Sequence, residues 1–187
     1  MRRLLAEYVE EVLSELPPAI RSLCILGGGA LRAFFDGTTV KDYDLFFANN
    51  DDFEAALHAV GDGPRFTYDG NAGRTVTFRS DSGMDFNLIG FAFGSARDHA
   101  AAFDFRCCQM VAWIEEDSGE VRFYAEPGAE DEATRRILTV VNNNGTDRTE
   151  ERITRYSQVY GYVPNLEGFE NVKLYLASKP VTQRGSY

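Results

Sequence analysis

The sequence predicts an α+β domain in which helices cover one side of a mixed β-sheet, followed by a short helical extension. Three observations predict this fold class. Helical and strand-like apolar patterns alternate in the first third, strand-like segments separated by turn residues follow, and the last third is mainly helical. With 187 residues, 44% of them hydrophobic, the chain is long enough to bury one core. We place the main domain at residues 1–126 and the extension with its tail at residues 127–187.

The first third of the chain alternates between helices and strands. Apolar residues at helical spacing predict a helix that ends before Pro17. The apolar segment 23–26 is predicted to be a buried strand, because three glycines end it in a tight turn. The elements predicted next are a short helix over 30–35, a buried strand over 43–48, and a helix that Asp51 or Asp52 caps and that runs to Val60.

Turn residues divide the next part of the chain into strands and short helices. Strands are predicted over 65–68, 75–79 and 84–91, with hairpin connections around residues 69–71 and 81–83. The later elements are a helix over 95–102, a hairpin of 107–114 and 121–125, helices over 130–141 and 148–160, a helix around 169–176, and a tail over 179–187.

Composition excludes several kinds of protein and site. The three cysteines lack the spacing of a zinc site or a disulfide framework, and two histidines leave little room for a histidine-rich metal centre or a Ser-His-Asp triad. No apolar run approaches the roughly 20 residues of a membrane helix, so we expect a cytoplasmic protein without a membrane partner. The net charge of −10 argues against an extended phosphate-binding surface and leaves a local basic cleft open.

Three carboxylates are candidates for metal chemistry. Asp42 and Asp44 alternate along one strand, so both side chains lie on the same face, where their mutual repulsion favours a hard divalent cation. Asp85, in another apolar strand, supplies a third oxygen ligand if that strand is adjacent. An Asp-x-Asp pair is also common at a solvated strand end, and Asp85 alone equally fits a surface position.

The glycine turn before this strand is a candidate phosphate site. Gly28 and Gly29 follow a buried strand and precede a helix, so backbone N–H groups and the helix start can approach a triphosphate. Glycines at such a position can equally serve the turn alone. The glycines, the aspartate pair and Asp85 together favour nucleotide chemistry.

In order and spacing, these residues resemble the head-domain signature of CCA-adding tRNA nucleotidyltransferases and bacterial poly(A) polymerases, members of the DNA polymerase beta superfamily. The signature is Gly-Gly-x-Val-Arg-Asp, then a short helix ending in Gly, then Lys-Asp-x-Asp. The matching segments here are Gly28-Gly29-Ala30-Leu31-Arg32, Asp36-Gly37 and Lys41-Asp42-Tyr43-Asp44-Leu45. Looser matches are the segment from Asp104 to Met110, similar to a motif after the catalytic strands, and Arg152 to Tyr156, similar to a neck helix.

The resemblance implies a nucleotidyltransferase-type sheet and a role for each matched residue. Asp42 and Asp44 would bind Mg²⁺, and with Asp85 they would form a two-metal site. Gly28 and Gly29 would cradle the incoming NTP triphosphate. Arg32 would help to hold it, unless Arg32 is a surface helix residue whose stem packs on the sheet. The remaining predicted nucleotide-binding residues are Asp104, Arg152 and Arg155.

Departures from the family pattern leave the acceptor open. Ala33, Ala102, Phe103, Cys108 and Thr149 replace residues that the family uses, and we expect the body that grips tRNA to be absent. The predicted activity is Mg²⁺-dependent transfer of NMP from NTP to an acceptor hydroxyl, with release of pyrophosphate. The family favours an RNA 3′ end, whereas the acidity and length favour a small-molecule or protein hydroxyl. A catalytically silent nucleotide-binding protein of the same fold is the alternative, and the oligomeric state is left open.

Overall fold

A seven-stranded mixed sheet organises the residues that the computed structural model describes, namely 2–61, 65–69, 73–142 and 146–167. Its strands are β1 (Ile25–Gly27), β2 (Tyr43–Phe47), β3 (Arg65–Asp69), β4 (Gly73–Arg79), β5 (Asp85–Phe93), β6 (Met110–Ile114) and β7 (Val121–Ala125). They lie side by side in the order β3-β4-β5-β2-β1-β6-β7. Neighbours β2 and β5 are parallel, and all other neighbouring pairs in the sheet are antiparallel.

Helices cover one face of the sheet and part of the other. They are α1 (Arg2–Ser14), α2 (Gly29–Asp36), α3 (Asn50–Val60), α4 (Ala96–Ala102), α5 (Ala129–Arg135) and α6 (Thr146–Val159). The main core lies on the face of Leu26, Leu45 and Leu88, which are buried neighbours on β1, β2 and β5. On the opposite face, Ala100 of α4 packs with Ile25 and Val111. The predicted α+β class is therefore confirmed, with α4 as an additional cover on the second face.

The N-cap of α3 and the start of β6 differ from their predicted positions. The N-cap of α3 is Asn49 rather than Asp51 or Asp52, because the extended Asn49 accepts a hydrogen bond from the backbone N–H of Asp52 at 2.9 Å. The strand predicted from residue 107 begins at Met110, because residues 106–108 form a 3₁₀ turn that Gln109 closes with a backbone bond to Arg106.

The helix predicted over 130–141 is wrong beyond Arg135. Arg136 adopts a left-handed conformation with φ of 54°, which ends α5. The next residues form β8 (Ile137–Leu138), which pairs in parallel with β9 (Val163–Pro164). Backbone bonds from Val163 and Asn165 to the carbonyls of Arg136 and Leu138, both 2.8 Å long, replace the missing helical bonds.

Some predictions fall outside the described residues. These are the helix around 169–176, the tail, and most of the hairpin connection around residues 69–71. The domain boundary after residue 126 stays a prediction. Among the described residues, no helix combines the length and apolar character needed to cross a membrane.

Candidate active site

A cleft of about 760 Å³ lies on the sheet face that α4 partly covers. Strands β2, β4 and β5, the start of α2, and helices α4 and α6 contribute its walls. Seven predicted site residues line it: two in α2, two in α6, one just after α4, one in β2 and one just before β2. The predicted residues that line this one cleft are Gly29, Arg32, Asp42, Asp44, Asp104, Arg152 and Arg155.

The carboxylate of Asp44 is oriented by a chain of hydrogen bonds across the sheet. Asp44 faces Asn87 on the parallel strand β5, and the Asn87 side-chain amide donates to Asp44 Oδ1 at 2.9 Å. The hydroxyl of Thr77 on β4 donates in turn to Asn87 Oδ1 at 2.8 Å. On the other side, Asp44 lies opposite Gly27, which has no side chain to cover the carboxylate. One carboxylate oxygen is thus held by the sheet, and the side chain faces the cleft.

The electrostatic environment of Asp44 disfavours its negative charge. Burial raises the pKa of Asp44 most, and the nearby charge of Asp42 adds to this rise, although Asn87, Arg152 and Arg148 oppose it. The Asp42 side chain is more open at 40% exposure, and its Oδ2 lies 3.8 Å from the ammonium group of Lys41. Because a cation relieves the repulsion between two neighbouring carboxylates, the oxygen donors of Asp42 and Asp44 suit a hard divalent ion.

Helix α6 places arginines along the cleft opposite the carboxylates. Arg148, Arg152 and Arg155 recur at helical spacing and all line the cleft. Arg152 forms an ion pair with the buried Asp104, with 2.7 Å between Nε and Oδ2. Burial raises the pKa of Asp104, while the charge of Arg152 opposes that rise. The ion pair with Asp104 therefore fixes the guanidinium of Arg152, whereas Arg148 and Arg155 are exposed.

The two glycines of the turn have different surroundings. Gly28 is buried, adopts φ of 67°, and donates its N–H to the carbonyl of Met110 at 3.1 Å. A Cβ at Gly28 would lie 2.8 Å from the ring of Phe103. Its predicted contact with a triphosphate is therefore not supported by this geometry, because its N–H already serves the fold. Gly29 lines the cleft and begins α2, which has no side-chain cap from the described residues.

Asp85 does not lie with the other two carboxylates in this structure. It is the first residue of β5, outside the cleft, and its carboxylate binds Arg79 with contacts of 2.6 and 2.7 Å. In the described part of the chain, no group of three or more His, Cys, Asp or Glu side chains is close enough to hold a metal. The parallel register places Asn87 beside Asp44, two positions beyond Asp85 on the same face.

Arg32 lines the cleft, as a phosphate-binding role requires, but the alternative prediction of a surface position is wrong. It is not a surface residue, since only 3% of it is exposed, and its guanidinium pairs with the carboxylate of Asp36 one helical turn away. Other residues that the sequence analysis missed are Thr77, Asn87 and Arg148. The spacing of Arg148 before Arg152 was a usable signal for the basic wall, whereas nothing in the sequence marked Thr77.

Solved structures of CCA-adding enzymes share this fold. The Thermotoga maritima CCA-adding enzyme complexed with tRNA matches with a TM-score of 0.56 at 17% identity, over 87% of this chain and 38% of that enzyme. The Bacillus stearothermophilus enzyme in complex with CTP matches with a TM-score of 0.54 at 18% identity, over 83% and 40% of the two chains. A CCA-adding enzyme in apo form II matches with a TM-score of 0.64 at 11% identity, over 92% of this chain and 47% of that enzyme. The chain thus spans less than half the length of these enzymes.

The fold is therefore that of the nucleotidyltransferases, and the cleft described above lies on its sheet. The predicted resemblance is confirmed at the level of the fold. The family itself is a different one: a family model described as Gabija anti-defense 2 family protein, Gad2, matches residues 1–135. The chain belongs to the Gabija anti-defense 2 family. No curated protein shows significant similarity to it.

Proposed function

We propose that this protein is a metal-dependent nucleotidyltransferase that moves NMP from NTP to an acceptor hydroxyl. The hydroxyl oxygen forms a bond to the α-phosphorus, the bond from that phosphorus to the β-phosphate oxygen breaks, pyrophosphate leaves, and the hydroxyl proton passes to solvent. The observation that carries the proposal is that Asp42 and Asp44 line the same cleft as the arginines of α6. A carboxylate pair and a cationic wall are what a metal-bound triphosphate requires.

The side chains of the cleft suit Mg²⁺. Asp42 and Asp44 offer hard carboxylate oxygens, and Asn87 holds Asp44 in position through its amide. Mg²⁺ bound there would lower the pKa of the acceptor hydroxyl and neutralise charge on the phosphates. We base the proposed site on Asp42 and Asp44. A role for Asp85 as a further ligand requires its ion pair with Arg79 to open.

The phosphates of the NTP have partners on two walls of the cleft. The uncapped start of α2 at Gly29 presents backbone N–H groups and the positive end of the helix dipole. Arg148 and Arg155 of α6 are exposed at the cleft and are proposed to bind phosphate oxygens. Arg152, held by Asp104, is proposed to face the nucleotide in a fixed orientation.

For the acceptor, we propose an RNA 3′ end as the first class to test. The solved enzymes of this fold include complexes with tRNA. Beyond Asp44, the floor of the cleft becomes apolar at Phe46, Ile89 and Phe91, and Phe91 is 43% exposed. An exposed aromatic side chain in the same cleft as a carboxylate pair suits a terminal nucleotide, whose base can stack while its hydroxyl reaches the metal. A small-molecule or protein hydroxyl is the alternative acceptor.

A pyrophosphate-release assay tests the proposed reaction. Each NTP is incubated with Mg²⁺ and separate fractions of RNA, protein and metabolites. We expect release with at least one fraction and a loss of at least about 1,000-fold, or about 4 kcal/mol, in Asp44→Asn. Asp117→Asn, in the exposed turn between β6 and β7, is the matched control with the same chemical change. Asp85→Asn distinguishes two roles of Asp85. A loss of activity like that of Asp44→Asn indicates a metal ligand, and retained activity indicates a surface carboxylate.

Two results would count against transfer. Absence of Mg-NTP binding in calorimetry, together with no pyrophosphate from any fraction, refutes the proposed site. Binding without turnover supports the silent nucleotide-binding protein.

The name of the family suggests that the reaction counters Gabija defence. We therefore expect the wild type to suppress this defence in a cellular assay and Asp44→Asn to fail.

A further inference from the structure

The guanidinium of Arg32 lies between α2 and the residues that follow α5. On its own helix, Arg32 pairs with Asp36, and its Nη1 also donates to Thr38 Oγ1 at 3.0 Å. From beyond α5, the hydroxyl of Tyr162 donates to Asp36 Oδ2 at 2.8 Å, and Arg136 Nη2 donates to the Asp36 carbonyl at 2.9 Å. The Arg32–Asp36 pair is thus the point at which α2 and the helical extension share hydrogen bonds.

Three tyrosine rings of the extension surround the same guanidinium. The Cζ atom of Arg32 lies 4.4 Å from the ring centre of Tyr160, 5.2 Å from that of Tyr156 and 5.6 Å from that of Tyr162. The rings also pack on one another, since Tyr156 makes edge contacts with both other tyrosines. Tyr156 belongs to α6, and Tyr160 follows its last residue directly.

A buried cation in this position is stable only while both sets of partners are present. Removing an arginine from water is costly, and the carboxylate of Asp36 together with the tyrosine faces offsets that cost. The planar guanidinium satisfies an in-plane carboxylate and out-of-plane rings at the same time, which an ammonium group cannot do. The carboxylate comes from α2 and the rings come from the extension, so displacing α6 would leave the charge without its aromatic partners.

We propose that Arg32 is a positioning residue that clasps α6 to the nucleotidyltransferase domain and thereby holds Arg148, Arg152 and Arg155 over Asp44. This inference rests on the proposed function for its consequence, because the arginines matter if the cleft binds a nucleotide. Arg32 then acts through α6, and the phosphates are bound by the exposed arginines of that helix. This clasp, formed by Arg32 and the three tyrosine rings around it, is present in the protein without nucleotide.

The competing role is direct contact of Arg32 with a phosphate. Arg32 lines the cleft, and within the described residues its Nε has no hydrogen-bond partner. A residue that only binds phosphate leaves the free protein unchanged when it is replaced. A clasp changes the free protein, since α6 opens more often once its anchor is lost.

Amide hydrogen exchange of the nucleotide-free, full-length protein separates these roles. In Arg32→Met, we expect the protected amides of α6 to exchange about tenfold faster or more, while those of β1 and β2 change by less than about twofold. Tyr162→Phe removes a hydroxyl outside the cleft and keeps the ring, so we expect α6 exchange to accelerate about three- to tenfold. Arg122→Met, at an exposed ion-paired arginine of β7, is the control and leaves α6 unchanged.

Affinity for Mg-ATP, measured by calorimetry, completes the test. We expect Tyr162→Phe to weaken it by the factor by which the closed fraction of α6 falls, although this variant removes no charge and no cleft residue. Unchanged α6 exchange in Arg32→Met and Tyr162→Phe overturns the clasp, and weaker nucleotide binding in Arg32→Met alone would then assign Arg32 to the phosphates. If Arg32→Met does not fold, Tyr162→Phe decides alone. Absence of Mg-ATP binding in the wild type refutes the proposed function and leaves the exchange result standing.

Discussion

Replacing Gly28 by alanine tests whether the glycine turn serves the fold or the ligand. Gly28 has φ of 67° and ψ of −122°, a region that side chains with a Cβ rarely adopt. Its N–H is already bonded to Met110, and the ring of Phe103 occupies the space above it. We therefore expect Gly28→Ala to reduce the stability of the nucleotide-free protein.

The magnitude follows from two separate costs. Holding alanine in this backbone conformation costs about 1–3 kcal/mol. The new Cβ would lie 2.8 Å from Phe103 Cε1, and moving this half-buried ring aside adds about 1 kcal/mol, the low end for overpacking. The sum of about 2–4 kcal/mol corresponds to a fall of roughly 4–16 °C in melting temperature for a chain of this size.

The adjacent residue gives a matched control. A Cβ at Gly29 meets nothing within 4 Å, and Gly29 does not have a positive φ. We expect Gly29→Ala to retain the wild-type melting temperature within a few degrees, since it places alanine at the start of α2. Thermal and urea unfolding, followed by circular dichroism, measure all variants.

A double-mutant cycle with Phe103→Ala separates the two costs. Removing the ring should recover the part of the loss caused by the steric contact, and the backbone cost of about 1–3 kcal/mol should persist. The reasoning is refuted if Gly28→Ala unfolds at the wild-type temperature, or if Gly29→Ala loses as much stability as Gly28→Ala does.

Three further predictions concern stability and reactivity. Gly90→Ala should lower the free energy of unfolding by about 1–3 kcal/mol, because a Cβ there would lie 2.5 Å from the buried ring of Phe53; a wild-type urea midpoint contradicts this. Ser95→Ala removes the capping box that Ser95 forms with Asp98 and should cost about 1 kcal/mol in the same assay, whereas unchanged stability would show that the cap is dispensable. All three cysteines are buried, and burial raises the pKa of Cys24. A thiol reagent at pH 8 should therefore label none of them within minutes until urea unfolds the chain. Rapid labelling of the native protein would disprove their burial.

Local patterns in the sequence predicted most of the strands and helices, because apolar spacing and turn residues determine them over short distances. The carboxylate pair was predictable for the same reason, since Asp42 and Asp44 occupy alternate positions of one strand. The partner of Asp44 was not, because the choice between Asp85 and Asn87 depends on the register of the parallel strands β2 and β5. A shift of two residues along β5 exchanges one for the other.

The environments of Arg32 and residue 136 also depended on distant parts of the chain. An arginine four residues before Asp36 is compatible with an exposed pair on a helix. Its burial follows from tyrosines more than 120 positions later, as the separation of 126 between Asp36 and Tyr162 shows. Likewise, the end of α5 is set by pairing with β9, and helix periodicity contains no information about such a contact.

The parallel pairing of β2 with β5 has a consequence for the order of folding. Asn87 and Asp44 are 43 positions apart in the chain, and the strands that carry them become neighbours only after a long loop has closed. Each hairpin at the sheet edges forms from nearby residues, whereas this central pair closes a loop that contains α3, β3 and β4. We therefore expect the oriented carboxylate to be among the last features to form as the chain folds, so that a partly folded chain is unable to bind metal and nucleotide productively.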